Sequence, residues 1–329
     1  MDRLRLDAPC LKSYTARNRR PRRPAAFRQA DGDFHSGIMR SYWRILLLGV
    51  TLAACSPQAH PASPATPPPS HLSPDLPATP TATAAQPTST PLPSAPVCDR
   101  AAGHFESFEI VDDSLPRALV GQVYLPPCYD PERARPYPVL FLLHGLASDQ
   151  QQWRDLGVGP AADQLIQQAL SPPFLIVLPT ERKGLDLAQA IPDVLLPYVQ
   201  DHYHAAPARS QRALGGLSRG AGWALRIGLT HPYLFSRLGL HSPAVLAPDM
   251  LYLPRWTKDL SPGLRPAISM DIGDRDPLLP DAMELEAKLR DLGMEVEWQV
   301  NPGYHEAIYW SSHLAEYLTW YSAAWAVPR

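Results

Sequence analysis

One stretch of this chain of 329 residues demands a local backbone that few folds can supply. Arg212-Ala213-Leu214-Gly215-Gly216-Leu217 is a short, mostly apolar run that reaches Ser218. The chain then turns at once into a helical pattern, Ala221-Gly222-Trp223-Ala224-Leu225-Arg226-Ile227-Gly228-Leu229. The junction Gly216-Leu217-Ser218-Arg219-Gly220 matches G-x-S-x-G, so the expected order is strand, sharp turn, helix. A serine in a strained turn projects its hydroxyl clear of the backbone, and flanking glycines let neighbouring segments approach without a Cβ clash. Ser218 is therefore the candidate nucleophile. Alone, the motif is equally compatible with an ordinary serine in a glycine-rich turn.

A serine hydroxyl is a weak nucleophile until a histidine takes its proton and an acid orients that histidine. Both occur downstream in the order Ser, Asp, His. Pro266-Ala267-Ile268-Ser269-Met270-Asp271-Ile272-Gly273 reads as a strand emptying into Asp274-Arg275-Asp276-Pro277, and strand C-termini are where α/β folds present working groups. Glu295-Val296-Glu297-Trp298-Gln299-Val300 alternates like a further strand and ends in Asn301-Pro302-Gly303-Tyr304-His305, a turn that would lift His305 over the sheet edge. Asp276 and Asp274 compete for the acid role, Asp274 being able instead to support the loop, and Asp271, inside the strand, is a third choice.

Four motifs in order, Leu142-Leu143-His144-Gly145-Leu146, Gly216-Leu217-Ser218-Arg219-Gly220, Gly273-Asp274-Arg275-Asp276 and Gly303-Tyr304-His305 with Trp310 five residues on, resemble the putative-esterase family of α/β-hydrolases. That family includes feruloyl esterases, S-formylglutathione hydrolases and mycolyltransferases. The resemblance spans about residues 104–326. It implies Ser218, Asp276 and His305 as a catalytic triad, with the backbone N–H groups of Leu146 and Arg219 as the oxyanion hole. One departure stands out. The residue after the nucleophile is often Met in the family and is Arg219 here, which leaves the backbone donor intact but brings a charge to the pocket floor.

Ahead of this region the chain changes character. Residues 1–38 hold eight Arg and one Lys with no apolar period, and they are expected to be a disordered, non-native extension rather than a nucleic-acid arm. Residues 39–55 have a basic start, the short apolar run Ile45-Leu46-Leu47-Leu48-Gly49-Val50-Thr51-Leu52 and small residues before Cys55. That is a signal peptide too short in its apolar part to span a bilayer. Leu52-Ala53-Ala54-Cys55 resembles the bacterial lipobox, which implies lipidation of Cys55 and an exported, membrane-anchored cell-envelope lipoprotein beginning there. Residues 56–97 form a linker, with 13 Pro, 12 Ser or Thr and 8 Ala among residues 56–96. Such a composition cannot bury enough apolar surface to fold and forms a semi-stiff tether.

Charge and cysteines follow from that division. Beyond Cys55 there are 19 Lys plus Arg against 28 Asp plus Glu, a formal charge of −9 instead of the whole-chain −2; nucleic acid is not an expected partner. Of four cysteines, Cys98 and Cys128 remain in the folded part, and an exported pair without further ligands suggests a disulfide.

Residues 98–329 are expected to form one α/β domain, with a mostly parallel central sheet, helices on both faces and no large lid. The reading places strands at 119–125, 138–143, 174–178, 238–240, 266–273 and 295–300, and helices at 159–170, 185–203, 280–292 and 306–326. Trp310 and Trp153 are candidate pocket residues, each also readable as core. His144 is expected to be structural. No HExxH, CxxC, P-loop or GxGxxG pattern occurs, so no metal or nucleotide cofactor is expected. The resemblance implies an exported serine esterase acting through an acyl-enzyme on small-molecule or glycan-linked esters. The alternatives are an acyltransferase delivering the acyl group to a sugar or lipid hydroxyl, and a catalytically silent binding module on the same fold.

Overall fold

The computed structural model describes residues 13–15 and 102–325; Cys55, Cys98, the signal peptide and the linker lie outside the described residues. One sheet organises them. Its strands are β1 (Ser13–Thr15), β2 (His104–Val111), β3 (Leu119–Leu125), β4 (Val139–Leu143), β5 (Leu175–Pro179), β6 (Arg212–Leu217), β7 (Arg237–His241), β8 (Ala267–Gly273) and β9 (Val296–Asn301). The spatial order is β1-β2-β3-β5-β4-β6-β7-β8-β9. β3 runs antiparallel to β2 and β5, and all other pairs are parallel.

The helices are α1 (Gln152–Asp155), α2 (Val158–Gln167), α3 (Leu187–Ala190), α4 (Leu196–Tyr203), α5 (Arg219–Thr230), α6 (Asp249–Thr257), α7 (Leu279–Asp291) and α8 (Ala307–Ser322). α3 passes into α4 through a wide π turn at Ile191–Leu195, where Pro192 and Pro197 each remove a backbone donor. None of the described helices is long and apolar enough to cross a membrane.

The continuous apolar strands show why both sheet faces are covered. Val139, Phe141 and Leu143 of β4 enter one core with α3, α4, α5 and α7, whereas Leu140 and Leu142 enter a second core with α2 and α8. Strand side chains alternate in direction, so VLFLL can only be satisfied by helices on both sides.

Two elements fall outside the expectation. β2 buries Phe108 and Ile110 but leaves Glu106 and Glu109 half-buried and Ser107 exposed, a pattern too polar to stand out as a strand. α6 carries Pro254 within nine residues and docks on α5 through Arg226, whose guanidinium meets Asp249 at 2.5 Å. The region before Met39 is also not wholly without structure: Ser13–Thr15 pairs with Glu109–Val111. The physical reason is that an edge strand presents unpaired backbone groups that any extended segment can take.

Candidate active site

The chain switches sides at β4: β5 follows on one side of it and β6 on the other, all three parallel. Parallel pairing of β4 with β6 sets Leu143 opposite Gly216, so the loop after β4 emerges beside Ser218. This is the crevice at strand C-termini where α/β sheets bind ligands.

Ser218 occupies φ 53°, ψ −121°, a conformation costly for a residue with a side chain. Bonds from outside its own helix help hold it there: the Ser218 N–H donates to the His241 carbonyl at 2.8 Å, and the Ala244 N–H donates to the Ser218 carbonyl at 3.0 Å. The flanking glycines are required by close approach. A Cβ on Gly220 would collide with the Leu143 carbonyl, and one on Gly216 would collide with the Gly220 backbone.

The three expected triad residues converge. His305 Nε2 lies 3.0 Å from Ser218 Oγ, and His305 Nδ1 lies 2.7 Å from Asp276 Oδ2. An ionised carboxylate only accepts, so Nδ1 carries the proton and Nε2 is left to accept from the serine. Asp276 is buried, and its other oxygen accepts the Leu278 N–H at 2.8 Å.

Asp274 plays the supporting part. It accepts the Gly303 N–H at 2.9 Å, while its own N–H donates to the Asn301 carbonyl and the Arg275 N–H to that of Gly303. The loop bearing Asp276 is thereby stitched to the turn bearing His305. The Gly303 N–H also holds the Asp274 carboxyl below the usual carboxylate range. Asp271 is not at the site. It is buried below, taking His241 Nδ1–H at 2.6 Å and the hydroxyls of Tyr309 and Tyr317 at 2.8 and 2.6 Å.

The expected oxyanion donors belong to the loop after β4 and to the residue that follows Ser218. In the loop after β4, the Gly145 N–H is taken by Gln152 Oε1 at 2.8 Å, while Leu146 has an exposed side chain and its N–H meets no acceptor among the described hydrogen bonds. Arg219 is the first residue of α5, and a first-turn N–H has no intrahelical acceptor. Its positive helix end also favours developing negative charge.

The Arg219 side chain turns away from the serine to Glu181, with Nε at 2.8 and 3.0 Å and Nη2 at 2.6 Å from the carboxylate. Burial pushes the Glu181 carboxyl up, but its bonds to the guanidinium outweigh this and hold it below the usual range. Sequence reasoning missed Glu181: the sequence shows an Arg beside the nucleophile but neither its burial nor its partner 38 residues away.

His144 is structural, as expected: Nε2 accepts the Glu181 N–H at 2.8 Å, so Nδ1–H donates to the Gly145 carbonyl at 2.8 Å. Trp310 borders the site edge-on to His305, with ring centres 5.0 Å apart, and its indole N–H donates to Ser242 Oγ at 3.0 Å. Trp153 corrects the pocket expectation. It is 1% exposed, and its indole donates to the Leu143 carbonyl, so it is core packing beneath the loop. Among the described residues no group of His, Cys, Asp or Glu is arranged to hold a metal ion.

Comparison with known proteins meets this geometry from outside. An endo-1,4-beta-xylanase/feruloyl esterase of Xylanibacter ruminicola is 25% identical over 237 residues, covering 66% of this chain and 30% of the relative. This chain thus spans less than a third of that protein. Among solved structures, the feruloyl esterase module of Clostridium thermocellum complexed with sinapinate superposes with a TM-score of 0.60 at 17% identity, over 73% of this chain and 93% of the module. The S-formylglutathione hydrolase of Staphylococcus aureus gives 0.55 at 17% identity, over 67% and 99%. At such identities the structural likeness shows the α/β-hydrolase fold alone. The model of the family described as Putative esterase matches residues 113–321, well over half of the sequence, and the chain belongs to that family.

Proposed function

We propose that this protein hydrolyses carboxylic esters through a covalent acyl-enzyme formed on Ser218. The observation that carries the reading is the Ser218–His305–Asp276 line, with contacts of 3.0 and 2.7 Å. His305 Nε2 takes the Ser218 proton as Oγ attacks the ester carbonyl. Asp276 holds the tautomer that leaves Nε2 free and stabilises the imidazolium. The N–H groups of Leu146 and Arg219 receive the tetrahedral oxyanion, and the imidazolium returns its proton to the leaving alcohol. Water activated by the same His305 then releases the acid and restores the serine.

For the acyl group, the reading favours aromatic hydroxycinnamic acids of the ferulate kind. The named activity of the Xylanibacter relative and the sinapinate held by the Clostridium module support it. Export is part of the proposal: Leu52-Ala53-Ala54-Cys55 supports a lipid anchor and residues 56–97 a tether. Cys128 is disulfide-bonded, which supports an oxidising compartment and Cys98 as its partner.

The test is a substrate panel of short p-nitrophenyl esters, feruloyl sugars, acylated glycans and S-acyl thioesters, each with and without an alcohol acceptor. Feruloyl esters should give the highest kcat/KM and free acid as product. Acyl transfer outrunning release of acid would overturn hydrolysis in favour of transfer, and no turnover of any ester would overturn the reading altogether.

A further inference from the structure

The two oxyanion donors come from segments far apart in sequence, and one hydrogen-bonded circuit joins them. It begins at the peptide unit that presents the Leu146 N–H, whose oxygen is the Gly145 carbonyl. That carbonyl accepts His144 Nδ1–H at 2.8 Å, which fixes the plane of the peptide and polarises its N–H. On the other side of the same ring, Nε2 accepts the Glu181 N–H at 2.8 Å. The Glu181 carboxylate grips the Arg219 guanidinium at two nitrogens, and the Arg219 backbone supplies the other donor.

We infer that His144, Glu181 and the Arg219 side chain are positioning residues that set the two oxyanion N–H groups against each other. This inference rests on the esterase reading above and deepens it.

The chemistry of each link supports the assignment. A bidentate carboxylate–guanidinium pair has a fixed fork geometry, so it specifies direction as well as distance. Glu181 sits two residues beyond the C-terminus of β5, which pairs with β4, and its own N–H is held by His144 Nε2. His144 is 5% exposed and both its ring nitrogens are engaged, so the ring has no freedom to release the Gly145 carbonyl. Arg219 also lies over the Trp223 ring, 5.9 Å from its centre, which restricts the guanidinium on a further side. An oxyanion hole acts by being in place before charge develops, and this circuit links the backbone segments of both donors.

The experiment compares wild type with Glu181→Gln, Arg219→Gln and the double variant, after thermal melts confirm that each folds. Four quantities are read with a substrate cleaved by the wild type: kcat, KM, the affinity of the product acid, and the affinity of a trifluoromethyl ketone that forms the tetrahedral oxyanion on Ser218. Whole removal of one donor costs about 10²–10³ in kcat, so misplacing one should cost about tenfold. Each single variant should lose that in kcat and a similar factor in ketone affinity, with KM and binding of the product acid within about twofold. The double variant should lose less than the product of the two single losses, because neither charge is stranded.

Single variants within twofold of wild type in kcat and ketone affinity overturn the proposal. So does an equal loss in product-acid affinity, which would mark general loosening. A wild-type protein that neither cleaves esters nor binds the ketone contradicts the esterase reading, and the positioning role with it.

Discussion

Beneath the active site, Asp271 gathers three buried donors, and its replacement by leucine has a cost that follows from the geometry. Asp271 is 5% exposed. Its Oδ1 takes His241 Nδ1–H at 2.6 Å, and its Oδ2 takes the Tyr317 hydroxyl at 2.6 Å and that of Tyr309 at 2.8 Å. Burial first, and the Asp271 charge second, push both tyrosine hydroxyls well above their ordinary range, so they are donors at every working pH.

Leucine has nearly the shape of aspartate and none of its acceptors. Two tyrosine O–H groups are orphaned outright. His241 can escape only by moving its proton to Nε2, where the Tyr321 hydroxyl at 3.0 Å must then accept instead of donate. Each buried orphan costs about 1–3 kcal/mol, and removing a buried carboxylate returns part of this, leaving a net loss of about 3–5 kcal/mol. For a domain of this size that is a fall in Tm of about 6–20 °C.

Asp271→Asn should be far milder, about 1–2 kcal/mol, because the amide oxygen serves both tyrosines while its NH₂ donates to a switched imidazole. Thermal melts of the purified variants, monitored by circular dichroism, check both figures. A leucine variant within about 1 kcal/mol of wild type would refute the reasoning, as would an asparagine variant no better than leucine.

Other consequences can be checked separately. Asp276→Asn should lower kcat by about 10⁴ with the fold intact, because an amide favours the wrong tautomer of His305, whereas Asp274→Asn, which only loosens the loop, should cost much less; steady-state kinetics of the two variants decides, and a reversed order would reassign the acid. Mass spectrometry of a non-reduced digest should find a Cys98–Cys128 linked peptide, and its removal should cost about 2–4 kcal/mol in chemical denaturation; two free thiols in exported protein would sink the pairing. In a bacterial host, Cys55→Ser should move the enzyme out of the membrane fraction with little change in activity per molecule, and a wild-type N-terminus other than lipidated Cys55 would defeat the anchor.

How far the chain could be read in advance depended on whether the physics was local. Gly216-Leu217-Ser218-Arg219-Gly220 was legible because the elbow is a steric problem settled within five residues, and the structure holds Ser218 at φ 53°. Asp276 and His305 were legible because each follows a recognisable strand and falls in a polar turn. The choice of Asp276 over Asp274 comes from the family resemblance; in the fold Asp276 meets His305 Nδ1 while Asp274 accepts the Gly303 N–H.

Trp153 was not assignable, because helical spacing is the same for a core tryptophan and a pocket one. The Glu181–Arg219 pair was out of reach for another reason: its partners are 38 residues apart, joined only once β5, β4 and β6 lie side by side. β2 and α6 hid behind composition, the first behind two half-buried glutamates and the second behind Pro254.

The central claim, that Ser218 is the nucleophile of an ester hydrolase, is tested most directly by labelling with a fluorophosphonate probe alongside turnover. Wild type should be labelled once per chain with concurrent loss of esterase activity. Ser218→Ala should take no label and lose about 10⁴–10⁶ in kcat. Labelling that survives in Ser218→Ala, or ester cleavage by that variant at the wild-type rate, would contradict the account.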